Sequence, residues 1–164
     1  MDMLVNLYQL PEYRDPDAVR ICRVLPPDFS SLLVWVGSHF GTGWQSECAA
    51  SLSTQPSHCF TAQYEGRFIG FACYDATSKG YFGPIGIEES FRGSGIGQAL
   101  LIRCLHAMKE DGYGYAVIGW CDEAAGFYHR TVGAIPIPGS APSETLYRRM
   151  VRFSSADDRQ SGNS

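Results

Sequence analysis

The sequence predicts a single α/β domain, and three observations carry the prediction. Tyr81-Phe82-Gly83-Pro84-Ile85-Gly86-Ile87 reads as an extended segment; Ile96, Leu100, Cys104 and Met108 recur every fourth residue, the apolar stripe of a helix; and a glycine-rich turn joins the two. Shorter strand and helix signals lie on both sides of this unit. The 164 residues are enough for one core of ordinary size, with no composition shift that would divide them.

From the start of the chain, Met3 to Tyr8 is apolar enough for a strand, and the prolines and charges from Pro11 to Asp17 end it. Residues 1–18 therefore read as an N-terminal extension, 19–153 as the domain proper and 154–164, polar and without periodicity, as a disordered tail. Val19 to Leu25 alternates Val19, Ile21, Arg23 and Leu25 with Arg20, Cys22 and Val24, a half-buried strand closed by Pro26-Pro27. Asp28 or Ser30 can cap a helix over Leu32 to Val36, and a second short helix is expected near Glu47 to Leu52. Between them Gly37-Ser38-His39-Phe40-Gly41-Thr42-Gly43-Trp44 reads as a loop holding a histidine and two large aromatics, of the kind that often carries binding residues.

His58 to Tyr64 and Arg67 to Tyr74 are strands joined by Glu65-Gly66, a hairpin turn, and Ser78-Lys79-Gly80 is a second turn. In the next strand Gly83, Pro84 and Gly86 are out of place, because proline cannot donate to a ladder and glycine packs poorly there. The strand is expected to bulge or splay. After the long helix, Gly112-Tyr113-Gly114 is a stop and Tyr115 to Trp120 a buried strand. Asp122 to Arg130 has acids in its first turn and bases in its last, which suits the helix dipole. Ile135 to Pro138 and Ser143 to Phe153 are read as a final pair of strands.

The glycine-rich turn is a helix N-terminus, where the first backbone N–H groups lack intrahelical acceptors and the peptide dipoles favour an anion. Glycines at 93, 95 and 97 remove the Cβ atoms that would hold a ligand away. Spacing excludes the other phosphate loops. No Gly-Lys-Ser/Thr follows, and the third glycine comes one residue too early for G-x-G-x-x-G.

Arg92, Gly95 and Gly97 resemble the R/Q-x-x-G-x-G/A signature of the GNAT superfamily of N-acetyltransferases, and the resemblance spans about Arg20 to Phe153. It implies a mixed, centrally splayed β-sheet flanked by helices, with acetyl-CoA as co-substrate and its pyrophosphate on the amides of Gly93, Ser94, Gly95, Ile96 and Gly97. Direct attack by a primary amine would follow, with a strand N–H near Ile87 holding the oxyanion. Phe127-Tyr128 followed by Gly133-Ala134 resembles the second motif of the family, which makes Tyr128 the general acid for the departing thiolate. Two positions depart from the pattern: Cys121 stands where an asparagine is common, and the spacer from Tyr128 to Gly133 is one residue longer. His39, Phe40 and Trp44 fall where the family builds one wall of its acceptor site, though the same side chains could simply cover the core. Glu88, Glu89 and Asp122 are the nearest carboxylates in sequence, and no general base is identifiable among them and His39.

The composition bounds the partners. A net charge of −4 without a basic run argues against nucleic acid and favours, mildly, a small-molecule amine; a charged fraction of 18%, low for a soluble domain, fits a homodimer interface. No apolar segment approaches membrane-spanning length and no signal peptide is evident, so a cytoplasmic protein is expected. The six cysteines are scattered singly without C-x-x-C, which suggests neither a metal site nor disulfides. Two rival readings stay open: a non-catalytic acyl-CoA-binding module, and an acyltransferase for longer chains with Trp120 or Phe82 bounding the tunnel.

Overall fold

The computed structural model describes residues 1–151. Among the described residues seven strands form one mixed sheet: β1 (Met3–Asn6), β2 (Arg20–Arg23), β3 (Cys59–Tyr64), β4 (Arg67–Tyr74), β5 (Tyr81–Ile87), β6 (Tyr115–Ile118) and β7 (Ile135–Pro136), in the order β2-β3-β4-β5-β6-β1-β7. The helices are α1 (Phe29–Phe40), α2 (Thr42–Ser51), α3 (Ile96–Glu110) and α4 (Ala125–Val132). None of the described helices is long and apolar enough to cross a membrane.

Alternation along β3 and β4 divides the interior in two. Phe60, Ala62, Ala72 and Tyr74 join the core built on α3, where Ile96, Leu100, Cys104 and Met108 are all buried as their spacing requires. Cys59, Phe71 and Cys73 join a smaller core with Leu32 and Val36 of α1 and with Cys48 and Leu52 in and just after α2. The Glu65-Gly66 turn has φ of 49° and 73°, the positive values that a two-residue hairpin with right-handed twist needs.

Three expectations are corrected. The segment Gly37–Trp44 is not a loop: α1 runs on to Phe40, Gly41 at φ 94° breaks it, and α2 begins at once at Thr42, five residues before the predicted Glu47. Gly37 makes this close junction feasible, because a Cβ there would lie 2.7 Å from the Gln45 side chain. The second correction concerns Ser143 to Phe153. Among the described residues this segment forms two one-turn 3-10 helices, Pro142–Glu144 and Leu146–Arg149, and no strand. Tyr147 is buried there against Trp120, with its hydroxyl where a Cβ on Gly119 would stand. The end of that segment, and the tail 154–164, lie outside the described residues.

The third correction explains the second. The strand expected near Met3 forms over residues 3–6, but it is integral to the sheet: β1 lies between β6 and β7 and pairs antiparallel with both, from Met3↔Ile118 to Asn6↔Tyr115 and through Met3↔Pro136. A final strand has no place beside β6, because the N-terminal strand fills it. Residues 11–16 then run back over α3: His106 Nε2 is 2.8 Å from the Pro11 carbonyl, and the Arg103 guanidinium lies 4.3 Å from the centre of the Tyr13 ring.

Val5 is fully buried in β1. Val5→Asp puts an unpaired carboxylate into that core and is expected to remove about 3 kcal/mol or more of stability, lowering the urea midpoint by roughly 1–2 M. A midpoint within experimental error of wild type would show that β1 is dispensable to the sheet.

Candidate active site

The site forms where the sheet opens. β5 and β6 are parallel and hold together only through Tyr81↔Val117 and Phe82↔Ile118; from Gly83 onward β5 pairs with β4 alone. The Glu88 N–H bonds to the Ile69 carbonyl at 2.8 Å, so by antiparallel alternation Gly86 also faces β4 and the N–H groups of Ile85 and Ile87 turn toward the opening. Gly83, at φ 116°, begins the parting, which accounts for the glycines and proline in this strand.

At the far end of β5 the chain turns into α3 through the glycine loop. Gly93 and Gly95 have φ of 79° and 85°, and a Cβ on either would meet nothing within 4 Å, so both face open space. Gly95 is the residue immediately before α3, Ile96 is its first, buried residue, and no side-chain hydrogen bond caps the helix among the described residues. Gly97 faces inward, with Ile87 3.7 Å and Phe127 3.9 Å from where its Cβ would be. Ser94 Oγ donates to the Phe91 carbonyl, and Arg92 Nε to the Ile87 carbonyl at 3.3 Å, so the loop is tied back onto the end of β5. An open cavity of about 300 Å³ is lined by Ser94, Gly95 and Gln98 together with Glu12, Arg14 and Asp15. This contribution of the N-terminal segment had no signal in the sequence, because it depends on where residues 11–16 are carried by β1.

Tyr128 lies at the vertex of the opening. It is 6% exposed, with its ring centroid 6.3 Å from that of Phe82, the last residue of β5 paired with β6. Its hydroxyl has no hydrogen-bond partner among the described residues, yet every fully buried side-chain oxygen there has one, so that oxygen is not fully buried. Burial, and to a lesser degree the Cys121 side chain, pushes its pKa well above the ordinary tyrosine value. Cys121 itself is raised to about 11, chiefly by burial, which disfavours a thiolate there and with it a covalent role.

His39, Phe40 and Trp44 are brought together, on α1 and α2 rather than on a loop. Phe40 and Trp44 pack with Trp35 and Phe71, ring centroids 5.4–6.2 Å apart, and so cover the smaller core. Phe40 also lies on β5, its Cζ 2.6 Å from where a Cβ of Gly86 would stand. His39 Nδ1 is 2.9 Å from the Trp35 carbonyl, which can only accept, so Nδ1 carries the proton and a neutral ring keeps its lone pair on Nε2. That atom is 3.9 Å from Glu88 Oε1, and the other Glu88 oxygen accepts from Arg67 at 2.9 Å. Glu88, one of the carboxylates nearest in sequence, is thus ion-paired with Arg67 on one side and lies beside the His39 ring on the other; its position directly after β5 was the available signal.

A second carboxylate escaped sequence reading. Asp2 is 3% exposed and accepts from the Trp120 N–H at 2.9 Å; Tyr81, at the vertex, has its pKa raised by burial first and then by the charge and hydrogen bond of Asp2. Only the insertion of β1 next to β6 brings Asp2 there.

A parallel strand pair that parts after two residues, opposite a glycine loop on a helix N-terminus, defines an α/β protein built to hold an extended anionic ligand in the middle of its sheet. The sequence matches the Acetyltransferase (GNAT) family over residues 20–134, and the chain belongs to that family, whose members use acyl-CoA. No curated protein gives a match. Among solved structures it is similar to a GCN5-related N-acetyltransferase from Sphaerobacter thermophilus, with a TM-score of 0.58 and 20% identity over 71% of this chain and 40% of that one. A Drosophila protein gives 0.61 at 12% identity, covering 83% of this chain and 46% of that one. An aminoglycoside acetyltransferase from an uncultured soil metagenomic sample, in complex with trehalose, gives 0.53 at 18% identity over 70% and 88%. The chain thus spans less than half of the first two of these proteins, and at such identities the likeness is one of fold.

Proposed function

We propose that this chain is an acetyl-CoA-dependent N-acetyltransferase that passes an acetyl group to a primary amine by direct attack. The observation that carries this reading is the sheet opening between β5 and β6, with the glycine loop at one end and the Tyr128 hydroxyl at the other. Open positive-φ glycines leave room for a pyrophosphate on the first amides of α3, so the residues present fit the group. When bound, acetyl-CoA supplies an activated acyl thioester.

The chain's own residues divide the remaining work. Gly93, Ser94, Gly95, Ile96 and Gly97 hold the pyrophosphate, and Arg92 fixes the loop to β5. The Ile85 and Ile87 N–H groups are donors for the pantetheine arm and for the carbonyl oxygen that gains charge. Tyr128 donates to the departing sulfur. An amine of pKa ~10.4 is only about 0.04% neutral at pH 7, so a proton acceptor is needed. His39 Nε2 fills that role through a water, with Glu88 stabilising the resulting imidazolium and Arg67 holding Glu88 in place. Asp2, bonded to the Trp120 N–H and to Tyr81, holds the vertex of the opening in place.

The test is a panel of acceptors (small amines, aminoglycosides, amino acids and peptide N-termini) assayed by release of the free CoA thiol. One or more amines should turn over, faster at pH 9 than at pH 6. His39→Gln should lower kcat/KM at pH 7 by about tenfold or more, and the loss should shrink toward pH 9 as neutral amine becomes abundant. A panel in which only hydroxyl or carboxylate acceptors react would overturn amine transfer. No turnover of any acceptor despite CoA binding would favour a regulatory acyl-CoA-binding module.

A further inference from the structure

The smaller core contains a group of side chains that the acyl-transfer site does not use. Cys48 of α2, Cys59 of β3 and Cys73 of β4 are all fully buried free thiols, and their three sulfur atoms lie within 4.8 Å of one another. Cys59 and Cys73 are direct cross-strand partners, and the Tyr74 N–H to His58 carbonyl bond places them at a non-hydrogen-bonded position, where side chains stand closest. Two sulfurs are therefore fixed by the sheet, and α2 brings the third down onto them. Ser51, one turn on from Cys48, is buried with its Oγ 3.3 Å from Cys73 Sγ while its hydroxyl donates to the Cys48 carbonyl at 2.6 Å.

We infer that Cys48, Cys59 and Cys73 form a trithiol site for a trivalent thiophilic centre, taken up as arsenous acid. Three sulfurs bound to one centre at ~2.3 Å, the length of a zinc–thiolate bond, can stand at most about 4.0 Å apart, and a pyramidal centre with a lone pair brings them closer still; the three sulfurs here already lie within 4.8 Å of one another, so they close on a common centre by shifts of the side chains. Charge decides which centre fits. The surroundings are Val24, Leu32, Val36, Leu52 and Phe71, with no Lys or Arg in this cluster among the described residues. Three thiolates around a monovalent or divalent ion leave a net negative charge in that apolar pocket, at a large desolvation cost. Around As(III) they leave none. The exchange is As(OH)₃ plus three R–SH giving As(SR)₃ plus three H₂O: each sulfur exchanges its bond to hydrogen for one to arsenic, each hydroxide leaves as water, and no atom is oxidised or reduced.

The test uses the full chain, reduced with a phosphine so that no added thiol competes, and sodium arsenite as the probe. Native mass spectrometry should show one arsenic bound per chain with loss of three hydrogens. Alkylation followed by peptide mapping should find Cys48, Cys59 and Cys73 protected by arsenite and Cys22, Cys104 and Cys121 unaffected by it. Cys48→Ser should weaken uptake about a hundredfold, the scale for losing one arm of a multivalent contact, whereas Cys22→Ser should leave it unchanged. Mapping in the wild-type protein decides the matter even if a cysteine variant fails to fold. No adduct, an adduct on other cysteines, or full binding retained by a folded Cys48→Ser would overturn the assignment. Protection of the same three thiols by Zn(II) or Cd(II) but not by arsenite would overturn the trivalent centre.

Discussion

Gly95→Glu is expected to abolish the thermal stabilisation that CoA and acetyl-CoA confer on the wild-type protein. A ligand that binds only the folded state adds about 2.7 kcal/mol at a hundredfold excess over its dissociation constant, which for a domain of this size raises Tm by roughly 5–10 °C. Gly95 immediately precedes α3 at φ 85°, facing space in which nothing lies within 4 Å of a Cβ. A carboxylate there would stand where a phosphate must sit, and two like charges ~4 Å apart near a protein surface repel by about 4 kcal/mol, close to three orders of magnitude in affinity. The substitution also forces a side chain into left-handed backbone, which costs ~1–2 kcal/mol of stability. Gly95→Ala separates the effects: it carries the same strain without the charge, so it should have a lowered Tm yet keep most of the shift with CoA. A folded Gly95→Glu protein that still shifts by the wild-type amount would place the CoA site elsewhere.

What could be read from the sequence was local. The α3 stripe of Ile96, Leu100, Cys104 and Met108 is fixed by spacing alone, and all four are buried; the Glu65-Gly66 hairpin was legible from the glycine, which takes positive φ without cost. The parting of β5 from β6 was legible for the same reason, since Gly83, Pro84 and Gly86 are poor ladder residues wherever the strand is placed. What escaped was long-range. Nothing in Met3–Asn6 says that it will enter the sheet between β6 and β7, and once it does, a strand from Ser143 onward has no place beside β6 and Tyr147 packs on Gly119 instead.

The site divides along the same line. The glycine loop and Tyr128 sit in contiguous motifs, so the pattern placed them at the two ends of one strand's opening. His39 was visible as a polar group among aromatics, but its tautomer and its approach to Glu88 required α1 to continue four residues past Val36 and lie across β5. Asp2 and Arg14 were invisible as site residues, because both are delivered by the N-terminal segment. The three clustered cysteines are 11 and 14 residues apart in sequence, without any metal-ligand spacing, and come together only because α2 packs on β3 and β4.

Tyr128→Phe is expected to lower kcat by about 10² or more while leaving acetyl-CoA affinity nearly unchanged. The substitution keeps the ring that packs on Phe82 and Phe127 and removes only a hydroxyl that has no partner among the described residues, so little ground-state binding or stability should be lost. An acid positioned in the transition state is ordinarily worth 10²–10⁴. Burial holds Tyr128 well above its ordinary pKa, and the sign of that shift matters: the hydroxyl remains protonated throughout the range in which activity rises, so Tyr128 imposes no loss of activity toward pH 9. The same shift makes Tyr128 a weaker acid than a free phenol, and complete proton transfer to a thiolate of ordinary pKa ~8.5 would be uphill by more than the ~2 kcal/mol that separates the unperturbed groups. Its contribution is therefore a hydrogen bond that strengthens as charge accumulates on sulfur, in a site dry enough for that bond to count. It follows that the kcat ratio of wild type to Tyr128→Phe should be flat from pH 6 to pH 9, whereas the ratio for His39→Gln falls across the same range. If the phenylalanine variant matches wild type within about threefold at saturating substrates, with chemistry rate-limiting, Tyr128 is a packing residue and the thiolate departs without a side-chain donor at this position.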